Sequence, residues 1–266
     1  MHQSNVATKS SAFPFQSGPS RRPDLVTANQ RTTNDGMVVR NRILMALPQT
    51  EFNSLRPAMD WIRLTERSSL LEPGDTLDYA YFPNRGLVSR VVVMKDGKTV
   101  EVGIIGEEGL VGAEGISGLG TSPHRLILYN AGDGARVRID VLRSLLPMLP
   151  QFQLMLNRHV VLQSLQGAQW AACNRLHTAE QRLARWLLTM HDRTEDESLR
   201  VTHDFLASML GTDRPSVSLA AGLLQKREAI TYSRGTIKVL DRQRLEESVC
   251  ECHEVMQRLN DPPILP

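Results

Sequence analysis

The stretch from Val201 to Ile230 reads VTHDFLASMLGTDRPSVSLAAGLLQKREAI. Thr202 carries a hydroxyl suited to capping a helix, and Leu206, Met209 and Leu210 then fall on one helical face. Asp204 sits in the first turn, where a carboxylate suits the positive end of the helix dipole. Gly211 supplies a residue that takes positive φ at little cost, so the helix stops there. Pro215 stands where a first helical turn tolerates a missing N–H. From it a second helix runs to about Lys226, with Val217, Ala221 and Leu224 as the buried stripe. Two short helices joined by a tight glycine turn make a helix-turn-helix. Ala207 leaves room for the second helix to cross, Gly211 makes the turn, and Val217 locks the pair. Spacing alone also allows a plain small helical domain.

The residues that follow choose between these readings. Ile230 to Leu240, ITYSRGTIKVL, alternates at period two around Ser233-Arg234-Gly235, which predicts strand, turn, strand. A helix-turn-helix followed by a basic-tipped hairpin is a winged helix, with Arg234 and Lys238 near a phosphate backbone. Here the chain resembles the Crp/Fnr family of bacterial transcription regulators. The pattern Thr202, Ala207, Gly211, Arg214, Val217 with the hairpin behind it is similar to that family's DNA-binding signature. The resemblance extends from about Asn41 to Cys252. It implies an α+β fold in which a β-roll (jelly-roll-like) sensor domain of the cyclic-nucleotide-binding type at 41–150 precedes a long dimerisation helix at 151–176. A winged helix-turn-helix DNA-binding domain at 177–260 completes the chain, and residues 1–40 form an N-terminal arm.

Composition sets broad limits. The chain has 266 residues, enough for two domains with their own cores. No apolar run approaches the length of a membrane span, and the first residues lack the apolar core of a secretory signal. A net charge of +2 neither favours nor excludes DNA, because a dimer can concentrate its basic residues on one face. Three cysteines, Cys173, Cys250 and Cys252, do not make a disulfide framework and fit a reducing cytoplasm.

Along the chain, residues 1 to about 36 are polar and aperiodic and read as a disordered arm, with Arg21 and Arg22 as solvated tail residues. Asn41 to Arg63 has a helical pattern broken by Pro48 and Pro57. Tyr79–Phe82, Leu87–Met94, Val100–Ile105 and the Leu126–Val137 segment are rich in β-branched and aromatic residues. With Asp96-Gly97 as a hairpin signal, they predict an antiparallel β-roll. Asp140 to Leu146 reads as a short helix, and about Gln151 to Arg175 as a long one. On the long helix Leu154, Val161, Leu165, Ala168 and Ala172 make a seam like that of a coiled coil, which either joins two copies in parallel or packs on the β-roll. Gln163, Gln166 and Gln169 are expected beside it, and His159 reads as a packed or solvated residue. Thr178 with Gln181 is a capping box opening the next helix. Thr194 to Ser198 reads as a polar loop, and Leu245 to Leu259 as one terminal helix.

Three groups of residues carry possible chemistry. On the second helix of the motif, Arg214, Pro215, Ser216 and Ser218 lie where N-terminal residues approach base edges, with Thr202, Arg234 and Lys238 near phosphates. The family resemblance also points to an effector pocket. Glu107, Glu108 and Gly109 echo the start of a phosphate-binding cassette, whereas His124 and Arg125 stand where the family has Arg-Ser-Ala. Without a well-placed guanidinium a bound phosphate loses its strongest contact, so a cyclic nucleotide is not expected. Third, Cys250-Glu251-Cys252-His253 gathers two thiols and an imidazole, one ligand short for a metal and at the wrong spacing for a zinc finger. No metal is therefore expected, and a thiol redox switch through Cys250 and Cys252 is the alternative. An N-terminal arm without cysteine excludes the family's iron–sulfur cluster. No catalytic motif occurs, so the chain is not expected to be an enzyme.

The expectation is a cytoplasmic, homodimeric transcription regulator on a palindromic operator, switched at its β-roll and, by family resemblance, meeting RNA polymerase. A regulatory module of the cyclic-nucleotide type acting without DNA is the competing class, and it would not need the winged helix.

Overall fold

A computed structural model of the protein describes residues 31–194 and 198–261. The chain opens earlier than its polar composition suggests. Residues 31–40 are folded, not part of an arm: Thr32 bridges Val38, and Val39 is buried. The Arg31 guanidinium donates to the carbonyls of Leu44 and Leu47 and lies over the Phe52 ring. It thereby satisfies orphan carbonyls at the end of α1 (Arg42–Ala46), which a composition argument cannot see. Residues 1–30, including Arg21 and Arg22, lie outside the described residues.

Helix α2 (Gln49–Leu55) follows, and then the chain turns extended. The helical reading of Asn41 to Arg63 fails at its end, where Asp60–Leu64 is strand β1. Pairing with a distant partner overrides local pattern there, because β1 lies antiparallel to β7 (Gly132–Arg138). On the other edge of β7 sits β3 (Tyr79–Arg85). Gly132 is obligatory at that seam, since a Cβ on it would stand 2.1 Å from the Arg85 carbonyl oxygen. The second sheet runs β2 (Ser69–Leu71), β6 (Arg125–Leu128), β4 (Val88–Val93), β5 (Thr99–Ile105). The two antiparallel sheets enclose Ala80, Phe82, Val88, Leu128 and Val137, all essentially without solvent exposure. A short helix α3 (Ala113–Ile116) and helix α4 (Ile139–Leu145) close the roll.

Helix α5 (Pro150–Leu176) is 27 residues long, about 40 Å at helical rise. Its free N-terminal amides are capped from outside the helix: the buried Glu51 carboxylate accepts from Gln151 N and Phe152 N, each at 2.9 Å. One face is buried through Phe152, Leu156, His159, Gln166, Trp170 and Cys173. The opposite face carries Leu154, Val161, Leu165, Ala168 and Ala172, all exposed. The seam thus points away from the β-roll. Gln166 and Gln169 do not flank it. They bond to the C-terminal helix, Gln166 to Asn260 at 2.8 Å and Gln169 to Cys252 at 3.1 Å.

The last domain starts with α6 (Ala179–Arg193), opened by the Thr178–Gln181 capping box. Ser198, read from sequence as the last residue of a loop, instead opens strand β8 (Ser198–Arg200). It completes a sheet ordered β8, β10 (Thr236–Val239), β9 (Ile230–Ser233). Helices α7 (His203–Leu210) and α8 (Arg214–Lys226) form the helix-turn-helix. The terminal helix is two helices, α9 (Arg242–Glu246) and α10 (Cys252–Asn260). No proline or glycine marks that break. It follows from packing, because Leu245 and Met256 enter the DNA-binding-domain core while Cys250 and Cys252 turn inward to α5.

Candidate nucleic-acid interface

The local geometry of the motif follows its residues closely. Thr202 Oγ1 accepts from Phe205 N at 3.1 Å and caps α7. Gly211 adopts φ 59° and ψ 43°, and its N–H and that of Thr212 both bond the Ala207 carbonyl, closing α7 in a left-handed turn. Asp213 then caps α8, its carboxylate accepting from Ser216 N at 2.7 Å. Ala207, Val217 and Ala221 are buried between the helices. Arg182 adds a buried bond of 2.7 Å from its guanidinium to the Leu210 carbonyl, an orphan acceptor at the end of α7.

On the outer side of α8, Arg214, Pro215, Ser218, Leu219, Gly222 and Leu223 are exposed, and Ser216 is half-buried. Arg214 opens the helix, its Nε 3.8 Å from the Asp204 carboxylate. Such an exposed pair is worth little and yields readily to a stronger acceptor. Ser218 is less free than its position suggests. Its hydroxyl donates to the Arg214 carbonyl at 3.0 Å and lies 2.8 Å from His203 Nδ1. The His203 ring stacks on Tyr232 of β9 at 4.3 Å between centroids. Burial, then the Arg214 charge, hold His203 below the usual imidazole range. His203 therefore ties α7, α8 and the wing together. Sequence reasoning passed over it because nothing in a lone histidine announces two partners distant along the chain. At the wing tip Arg234 is exposed at φ 49°, and Lys238 is exposed on β10 opposite Thr231 and Ser198.

The residues expected to form an effector pocket do not come together. The Glu107 carbonyl accepts from Arg42 N at 2.7 Å. Glu108 pairs with Arg193 of α6, which holds its carboxyl low against the opposing effect of burial. Gly109 lies under the His159 ring, and His159 Nε2 is 2.9 Å from the Leu110 carbonyl. Glu107 and Glu108 line a cleft of about 810 Å³ between the β-roll and the DNA-binding domain, which neither His124 nor Arg125 reaches. Arg125 pairs with Glu72 at 2.8 Å. A different pair of charges lies elsewhere on the roll: Arg90 on β4 is 3.9 Å from Glu114 of α3. His124, half-buried beside them, is held below its usual range by burial and the Arg90 charge.

The two domains are docked on each other. Leu87 and Ile104 of the β-roll enter the same core as Leu183, Trp186 and Leu206. Tyr129 meets Trp186 edge-on at 5.6 Å, and Phe205 lies beside both, tilted to Tyr129 and edge-on to Trp186. Gly211 touches Val100 so closely that a Cβ would come within 2.8 Å of it. Glu101 of β5 is completely buried at this contact, and burial pushes its carboxyl up to about 7. Ser89, Trp186 and the Arg185 charge offset part of that burial, though no side chain reaches hydrogen-bonding geometry with it.

Cys250 and Cys252 lie beside side chains that spacing does not reveal. Cys173 and His177 join them, whereas His253 turns to Asp192 at 3.5 Å. Residues that are dozens of positions apart cannot be grouped by spacing.

Residues 181–248 match the Crp-like helix-turn-helix domain. Solved structures with this fold include the c-di-GMP-responsive global regulator CLP of Xanthomonas campestris. It is 19% identical, with TM-score 0.62, covering 72% of this chain and 99% of that one. FixK2 of Bradyrhizobium japonicum is 16% identical, with TM-score 0.61 and coverage of 72% and 98%. A Crp/Fnr-family transcriptional regulator of Eubacterium rectale is 14% identical, with TM-score 0.65 and coverage of 77% and 96%. No curated protein sequence matches the chain. The molecule has the fold of the Crp/Fnr transcription regulators, a cyclic-nucleotide-binding-type β-roll joined by a long helix to a Crp-like helix-turn-helix domain. Among the described residues no helix is long and apolar enough to cross a membrane.

Proposed function

We propose that the protein is a homodimeric, non-enzymatic cytoplasmic regulator that binds an inverted-repeat operator and meets RNA polymerase there. The observation that carries this reading is Arg214, exposed at the first turn of an α8 whose outer face is open. An arginine there suits bidentate donation to guanine O6 and N7. Pro215 offers no side-chain donor or acceptor for the next base. Leu219 and Leu223, 67% and 38% exposed, suit the methyl groups of thymine. Arg234 and Lys238 of the wing suit phosphates. The exposed seam of α5 supports parallel pairing of two copies, which sets two half-sites roughly 10 bp apart centre to centre.

The signal enters through the β-roll, and the docked contact around Glu101, Trp186 and Tyr129 is the element whose two arrangements it biases. That signal is not a cyclic nucleotide. Arg90 faces Glu114, Arg125 faces Glu72, and a phosphate beside either cation also meets a carboxylate.

The test is genomic footprinting of the full chain, followed by titration of operator and scrambled duplexes at several salt concentrations. Arg214→Ala costs about 1–3 kcal/mol on the operator and flattens preference at one base pair per half-site. Arg234→Ala weakens all sequences alike and lowers the salt slope by about one. If Arg214→Ala leaves the specificity ratio intact, α8 is not the reader.

A further inference from the structure

At the corner where α5 hands over to α6, four side chains from two distant stretches of the chain converge. Cys173 lies in the last turns of α5, and His177 is the residue that ends it. Cys250 lies in the break between α9 and α10, and Cys252 opens α10. These pairs flank the helix-turn-helix domain at 181–248, so they meet only because the domain's two ends return to one place. One ligand atom from each lies within 4.8 Å of all the others.

We propose that Cys173, His177, Cys250 and Cys252 form a tetrahedral Cys₃His site for a zinc ion that staples α10 to the α5–α6 corner. Zinc bound to thiolate sulfur at about 2.3 Å and imidazole nitrogen at about 2.0 Å sets tetrahedral edges of roughly 3.8 Å between sulfurs and 3.5 Å between sulfur and nitrogen. Cys173 Sγ and Cys250 Sγ are 3.7 Å apart, and Cys252 Sγ and His177 Nδ1 are 3.6 Å apart. A disulfide requires about 2.05 Å between sulfurs, and an iron–sulfur cluster spreads its cysteines around several atoms rather than one.

The surroundings match a metal as well. His177 presents Nδ1 to the cysteines, and its Nε2 lies 3.3 Å from the Glu251 carboxylate, the pairing that orients a metal-bound imidazole. Gln169 Nε2 donates to Cys252 Sγ at 3.1 Å, a bond that favours thiolate. Three thiolates and a divalent ion carry one net negative charge. Arg185 on α6 is completely buried, its guanidinium lies 3.8 Å over the Trp170 ring, and none of its nitrogens has a hydrogen-bond partner. A buried cation with no hydrogen-bond acceptor, about two helical turns beyond His177 on α6 and stacked on Trp170 of α5, fits an anionic metal centre. All three cysteines are buried and His177 is nearly so, which makes the site closed and structural rather than open and catalytic. Its position ties both ends of the DNA-binding domain to the long helix, so the ion holds the angle at which that domain leaves α5.

The experiment uses the full-length chain purified under reducing conditions. Elemental analysis is expected to find one zinc per chain. Chelation followed by titration with cobalt(II) alone is expected to give thiolate charge-transfer and intense visible tetrahedral bands that saturate at one equivalent and are bleached by zinc. Cys252→Ser and His177→Ala each lose bound zinc, and removing the metal lowers the melting temperature of the wild type but not of Cys252→Ser. The cobalt spectrum of the wild type keeps the test valid should a variant fail to fold. Metal-free protein that stays folded by circular dichroism and gives no tetrahedral cobalt spectrum overturns the site. So does full zinc occupancy in a variant lacking all three thiols.

Discussion

Replacing Leu165 tests the step on which the two-fold reading depends. Leu154, Val161 and Leu165 are 61%, 58% and 51% exposed in the single chain. Burying a whole leucine is worth about 1.5–3 kcal/mol, so covering the exposed half of Leu165 contributes about 1 kcal/mol per chain and about 2 kcal/mol per dimer. At 1.4 kcal/mol per tenfold, Leu165→Ala raises the dimer Kd by up to roughly 30-fold. Leu165→Asp goes further, because it also sets two carboxylates against each other in an apolar seam. Neither change touches the buried face of α5, so the fold of one chain is expected to persist. Sedimentation velocity across a concentration series reads the Kd, and circular dichroism confirms the fold. The expected order of dimer affinity is wild type, then Leu165→Ala, then Leu165→Asp, with operator affinity falling in parallel. A Leu165→Asp protein that dimerises as tightly as wild type refutes the seam.

Glu101 makes the docked state sensitive to pH. Its carboxyl titrates at about 7 when folded, against an ordinary 4.5, so the folded chain holds more protons than the unfolded one between those values. Stability from this group is then full below about 4.5 and is lost as pH rises through about 7, by on the order of 3 kcal/mol. Glu101→Gln is expected to melt increasingly above wild type over that window, and parallel melting curves at both ends would rule the assignment out. For the effector, cyclic AMP or cyclic GMP is expected to leave melting temperature and DNA affinity unchanged, and a saturable micromolar calorimetric titration would overturn the reading that the β-roll binds no cyclic nucleotide.

Much of the molecule was legible in its sequence, for local reasons. Thr202, Gly211 and Pro215 report helix ends because capping, positive φ and a missing N–H act within a few residues. The β-roll strands and the wing show period two, and the outward seam of α5 shows the spacing of one helical face. What the sequence left open depends on distant partners. Asp60–Leu64 is a strand only because β7 pairs with it. The break between α9 and α10 has no breaker residue and comes from two cores pulling on one segment. Glu108 reads as part of an effector pocket until Arg193 is found to hold it, and His203 reads as nothing until it is found between Ser218 and Tyr232. Cys250-Glu251-Cys252-His253 is one ligand short by spacing, and only the fold exchanges His253 for Cys173 and His177, which reach the two thiols across the whole DNA-binding domain. Short-range physics writes itself into neighbouring residues, whereas side chains that meet across the fold are brought together by the packing of elements, which no single stretch records.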